Sequence, residues 1–104
     1  MFIRVHRSRS DTDVSLEEPD DFKAFKVVAP DRDRLAETVA SFGRPADEDE
    51  EHVFVRVEAL KALAGDRGED PEWAASLERM LAYASEHGWL DEHGAVRAHV
   101  EWAG

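Results

Sequence analysis

The chain has 104 residues, 24 of them acidic against 13 Lys or Arg, for a net charge of −11, with 42% hydrophobic residues and no cysteine. That length supports one domain with one modest core, and the lack of cysteine excludes disulfides, thiolate catalysis and cysteine metal sites together. No apolar run approaches the ~20 residues that span a bilayer, and the N-terminus lacks the apolar region of a signal peptide, so a soluble cytoplasmic protein is expected.

The charge is unevenly spread. Arg4, Arg7 and Arg9 stand in the first ten residues with no acid, which leaves −14 for residues 11 to 104. Such a body repels phosphate backbones and anionic lipid, so neither nucleic acid nor membrane is an expected partner. A basic or apolar protein surface is. Asn and Gln are absent and Lys is scarce beside Arg, a bias of GC-rich genomes more than of any activity.

Phe2 to Arg7 alternates weakly, with Ile3 and Val5 on one side and Arg4 and His6 on the other, which predicts a short strand whose charge suits a sheet edge. Ser8 to Asp21 holds six acids, three serines and Pro19, the composition of a mobile loop. Phe22, Phe25, Val27 and Val28 then make Phe22 to Ala29 a strand, ended by Pro30. Asp31 can cap the next helix, in which Leu35, Val39 and Phe42 share one side and which Gly43 and Pro45 terminate.

Asp47 to Glu51 are five consecutive acids, solvated because neighbouring ionised carboxylates cannot share a buried site. Val53, Phe54, Val55 and Val57 predict a strand over 52–57. If it runs parallel to 22–29 in one sheet, the helix between is a right-handed crossover. Glu58 to Ala64 reads as a short helix stopped at Gly65.

Asp70 to Trp102 is the most strongly specified stretch. Asp70 is a good N-cap, Pro71 suits the first helical position, and Glu72 complements the positive helix end. Trp73, Leu77, Met80, Leu81 and Ala84 recur at steps of three and four, placing one apolar stripe on a helix over 71–87. Gly88 can take the left-handed conformation that stops it, with Trp89 placed for the apolar contact of a Schellman-type end. Asp91-Glu92-His93-Gly94 is a tight turn with Gly94 at positive φ. Beyond it, Val96, Ala98, Val100 and Trp102 alternate with Arg97, His99 and Glu101 as a half-buried strand. The whole reads as a single α+β domain in the order β-β-α-β-α-α-β, a three- or four-stranded sheet with about three helices on one face.

Motifs carrying chemistry are few. The order strand, helix, Gly65-Asp66-Arg67-Gly68, helix, strand resembles a KH module, but three acids around Arg67 oppose a phosphate backbone. A winged helix built on 71–87 meets the same objection, since Glu72, Glu78 and Glu86 outnumber Arg79 on the exposed side. His87, His93 and His99 lie near several acids, yet no pair has the spacing that puts two ligands on one helical face, so no metal is assigned. No serine has a nucleophile-elbow context, and no catalytic set or cofactor motif emerges.

Two functional readings remain. One is a small non-enzymatic domain acting through protein contact. The other is a small-molecule binder or minor enzyme with a pocket between long helix and sheet, lined by Trp73, Trp89 and Trp102 and served by Tyr83 or His99. Core packing is the simpler role for the tryptophans.

The segment from Glu51-His52-Val53-Phe54-Val55 through Gly88-Trp89-Leu90, followed by Gly94 to Trp102, resembles small uncharacterised proteins and domains of high-GC Gram-positive bacteria. The resemblance covers about the C-terminal half. It implies a stand-alone fold and transfers no functional residues.

Overall fold

A computed structural model describes residues 1–7, 12–30, 35–46 and 51–102. Strands β1 (Phe2–Arg7), β2 (Thr12–Glu17) and β3 (Lys26–Ala29) are followed by helix α1 (Leu35–Val39) and strands β4 (Gly43–Pro45) and β5 (His52–Val55). Helix α2 (Val57–Ala64), a 3-10 turn (Gly65–Glu69), helix α3 (Pro71–Glu86) and strand β6 (Val96–Trp102) complete the order. The strands form one six-stranded mixed sheet, β2-β1-β3-β6-β5-β4, curled into a half-barrel. Among the described residues, no helix is long and apolar enough to cross a membrane.

This corrects the expected three- or four-stranded sheet, because two strands lie where none was read. The first is β2, within the acidic stretch whose composition predicts a loop. Its side chains alternate: Val14 and Leu16 pack on the core, opposite Val5 and Ile3, while Asp13 and Glu17 face away. The period of two was present, but the acids lie on one face only and do not oppose burial of the other. Strand β2 therefore takes the edge, and β1 is interior. The second is β4, where Gly43 and Pro45 do not stop a helix but pair with Val55 and Val53. Gly43 is needed there for close approach, since a Cβ would run into the Phe54 carbonyl oxygen.

The condition for a crossover, that 22–29 and 52–57 run parallel, is not met. Strand β6 lies between β3 and β5, parallel to the first and antiparallel to the second. The parallel pair β1 and β3 needs no helical crossover, because the hairpin through β2 returns the chain to the end where β1 begins. Residues 18–25 close that end. They are held by the N-terminal ammonium, which donates to the carbonyls of Asp21 (2.7 Å) and Ala24 (3.1 Å), and by Arg67, which donates to both Asp20 carboxylate oxygens (2.6 and 2.7 Å). Regular pairing in the third strand starts only at Lys26, so Phe22 and Phe25 lie before it.

The C-terminal stretch folds as its local signals dictate. Asp70 accepts from the Glu72 N–H (2.9 Å) at the start of α3. At its end Gly88 has φ +72°. The Trp89 N–H bonds the Ala84 carbonyl (2.8 Å) and the Gly88 N–H bonds the Ser85 carbonyl (3.1 Å), the two hydrogen bonds of a Schellman stop. Helix α2 begins one residue earlier than read, at Val57, and β5 ends at Val55. Asp31 as a cap and the acidic run at 47–50 lie outside the described residues.

All three helices deliver side chains to one core: Val39 from α1, Leu60 from α2, and Trp73, Leu77 and Ala84 from α3 join Ile3, Val27, Val53, Val55 and Val100 of the sheet. Trp73 is only 4% exposed, packs on Phe22 with ring centroids 5.8 Å apart, and donates its indole N–H to the Pro19 carbonyl (2.9 Å). It thus joins α3 to the 18–25 segment. Trp73→Ala should destabilise the domain by about 3–5 kcal/mol in urea denaturation, whereas Trp73→Phe, which mainly forfeits the hydrogen bond, should cost about 1–2 kcal/mol. Gly43→Ala should cost about 1–3 kcal/mol through forced separation of β4 and β5, read by the same measurement.

Candidate functional site

The sheet face turned away from the helices carries Phe2, Arg4, Lys26, His99 and Glu101 towards one side, and His52, Phe54, Arg97 and Arg44 towards the other, as the strand registers require. Basic residues gather there against the acidic balance of the chain. Much of their charge is already matched. Lys26 pairs with Glu101 (2.6 Å) and holds that carboxyl below its ordinary range, first through the hydrogen bond and then through its charge. Lys26 and Arg4 also stand over the Phe2 ring, at 5.5 and 5.3 Å from its centroid. The His52 and His99 rings meet edge to face at 5.4 Å. Apart from Arg4 over Phe2, which lies within β1, these contacts knit neighbouring strands together.

At the β4 edge of this face is a cavity of about 290 Å³ between β4, the junction of β5 with α2, and the 91–95 turn. Its rigid part is Asp91. The side chain is 8% exposed, and its Oδ1 accepts from the N–H groups of His93 (2.9 Å) and Ala95 (2.8 Å). Its Oδ2 accepts from Arg44 (3.1 Å). Gly94, with φ +81°, lets the turn close, as its sequence indicates.

The exposed apolar surface lies elsewhere. Tyr83 is 56% and Trp89 39% exposed, the large hydrophobic side chains left open to solvent among the described residues. They belong to one cluster. The Schellman stop folds Trp89 back over the last turn of α3, so that its ring stacks on His87 (4.6 Å between centroids, 20° between planes) and meets Tyr83 edge to face at 5.8 Å. Beside this cluster run two adjoining depressions of about 120 and 440 Å³, which share Phe22, Lys23, Met80 and Tyr83 as walls. Phe25 and Trp89 extend one of them, and Arg79 borders the other. The result is a groove with an aromatic and thioether floor and a rim that includes Lys23, Arg79 and Arg97.

Of the five side chains grouped from the sequence, Tyr83 and Trp89 are brought together in this groove. The other three go elsewhere. Trp73 is in the core, Trp102 is half-buried beside it on the helix side of β6, and His99 is exposed on the opposite sheet face. The three tryptophans therefore do not enclose a common pocket. Residues not singled out as site members are Phe22 and Phe25, read as strand side chains, and Met80, read as part of the core stripe. Met80 lies on the margin of that stripe and is only half-buried, which a helical period alone does not distinguish from burial. His87, His93 and His99 occupy separate settings: the aromatic cluster, the turn beside the cavity, and the open sheet face. No protein-family model, curated protein or solved structure matches the chain.

The Asp91 network makes stability depend on pH. Burial by itself would raise the carboxyl, but the N–H groups of Ala95 and His93 and the Arg44 guanidinium outweigh it and hold Asp91 below its ordinary value of 3.8. A carboxyl lowered in the folded state stabilises above its unfolded pKa and loses that contribution as pH falls through the folded one. Unfolding of the wild type followed from neutral pH into the acid range should therefore show a loss of stability below about pH 4 that is smaller in Asp91→Asn. Equal acid dependence in the two proteins would remove Asp91 as its source.

Proposed function

We propose that this protein is a docking domain whose groove between α3 and residues 22–25 receives a short apolar segment of another protein bearing acidic side chains at its flanks. One observation carries the reading. Among the described residues, Tyr83 and Trp89 stay exposed while the other large apolar side chains are buried wholly or in part, and the two lie along a continuous groove rather than singly. An exposed apolar patch with a polar rim is how soluble domains mark interaction sites. Tyr, Trp and Arg supply much of the binding energy in such places, and Met adapts its shape to the incoming side chains.

Sequence composition favours a basic or apolar partner, and the groove supports the apolar option. Its floor calls for apolar side chains, while Lys23 and Arg79 at its rim favour acidic neighbours over basic ones. Local charge, rather than the net −11, is what a bound segment meets, because interactions beyond about 10 Å are screened at ordinary ionic strength.

Selection from a random displayed-peptide library tests this. Enriched peptides should combine Leu, Phe or Trp with Asp or Glu, and should bind less tightly at high salt. Tyr83→Ser and Trp89→Ser should each weaken the selected peptides by about tenfold or more, with the unfolding midpoint nearly unchanged because both side chains are largely outside the core. Enrichment of basic peptides, or binding that neither substitution weakens, would overturn the assignment.

A further inference from the structure

We infer that the cavity between β4, the β5–α2 junction and the 91–95 turn is a binding site for a free apolar α-amino acid, or a small zwitterion of the same build. This site is distinct from the docking groove and does not depend on it. The inference starts from the charges that line the cavity: Arg44, Arg56, Glu58 and Asp91, with His93 beside them. Arg44 and Asp91 neutralise one another through their ion pair (3.1 Å). Arg56 differs, because its anchoring contact is with a neutral group, the Ser41 carbonyl (2.6 Å). That bond orients the guanidinium without cancelling its charge, and a guanidinium has five N–H donors, of which this contact uses one.

Glu58 follows two residues later, in the first turn of α2, and is exposed. Setting aside the internal pair, the cavity offers its ligand one cation and one carboxylate, placed on a short stretch of rigid backbone. An ammonium and a carboxylate on adjacent carbons complement that pair. A simple anion would leave Glu58 opposed to it, and a simple cation would leave Arg56 so.

The remaining wall specifies what the zwitterion carries. Phe54, Val57 and Ala95 are apolar, and Gly43 and Gly94 contribute no side chain. The Arg44 guanidinium stands over the Phe54 ring, 4.7 Å from its centroid, so this part of the surface is formed before any ligand arrives, which lowers the ordering cost of binding. A volume of about 290 Å³ lies at the bottom of the range of ligand sites, about 300–1,000 Å³. It accommodates a single amino acid with a branched or one-ring side chain and excludes dinucleotide-sized cofactors.

Calorimetric titration of the full chain with phenylalanine, leucine, methionine, aspartate and lysine, alongside 3-phenylpropanoate and phenethylamine, tests the site. The apolar amino acids should bind. Aspartate and lysine should bind at least tenfold more weakly, as should the two phenylalanine analogues, which lack the ammonium and the carboxylate respectively. Arg56→Gln and Glu58→Gln should each lower phenylalanine affinity tenfold or more. Both are surface positions and Arg56 makes no side-chain cap to α2, so the fold should persist, checked by the unfolding midpoint. Trp89→Ser should leave amino-acid binding intact, so that failure of this site and failure of the docking groove give different results. Phenylpropanoate binding as tightly as phenylalanine would make the site a plain anion site and overturn the inference, as would the absence of heat with every amino acid at millimolar concentration.

Discussion

The structure depends on the strand that arrives last. Strand β6 lies in the middle of the sheet, with β3 along one edge and β5 along the other, so it joins the trio β2-β1-β3 to the pair β5-β4. Without it the two parts share no backbone ladder. Val100 shows how closely it is held: its side chain is buried in the core, its Cα is in register with Val27, and its N–H donates to the Glu51 carbonyl (2.7 Å). A half-buried strand in this position has its register set twice, since slipping by one residue would turn Val96, Ala98 and Val100 out of the core and bring Arg97 and His99 in.

The same strand explains why the molecule has two unlike surfaces. Its inward residues meet the helices, and its outward residues, Arg97, His99 and Glu101, join basic and aromatic neighbours on a face that no described helix covers. Lys26 there is paired across strands with Glu101, and Arg4 and Arg44 stand over phenylalanine rings. The cavity at the β4 edge and the groove at the end of α3 are the places where polar and aromatic groups converge around open space instead. Each is shaped by a chain reversal: the Asp91-anchored turn for the cavity, the Gly88 stop for the groove.

The long helix illustrates how one element serves both stability and recognition. Its first half is clamped by Trp73, whose indole reaches the carbonyl of Pro19. Its last turn projects Tyr83 outwards, and the Schellman bonds return Trp89 to it. No described element lies over these two rings. Small domains have a high ratio of surface to volume, and here the excess apolar area is gathered at one end.

Sequence reading captured what neighbouring residues decide among themselves. The Asp70 cap, the Pro71 start, the Gly88 stop, the Gly94 turn and the alternation of β6 were legible because each is satisfied within a few positions along the chain. Strand β2 was obscured by its acids, and β4 by glycine and proline that are usual helix terminators; both are strands only because partners distant in the chain, Ile3 and Val5 for one and Val53 and Val55 for the other, lie beside them. The grouping of three tryptophans was likewise beyond local pattern, since helical period reports a face and not what lies opposite. Local sequence thus specifies the caps, stops and turns of the C-terminal stretch, but not every element or its bounds. Long-range contacts settle the rest: that β2 and β4 are strands, which strands pair, that β6 separates β3 from β5, and which aromatic side chains remain at the surface, because these outcomes rest on competition for a single limited core.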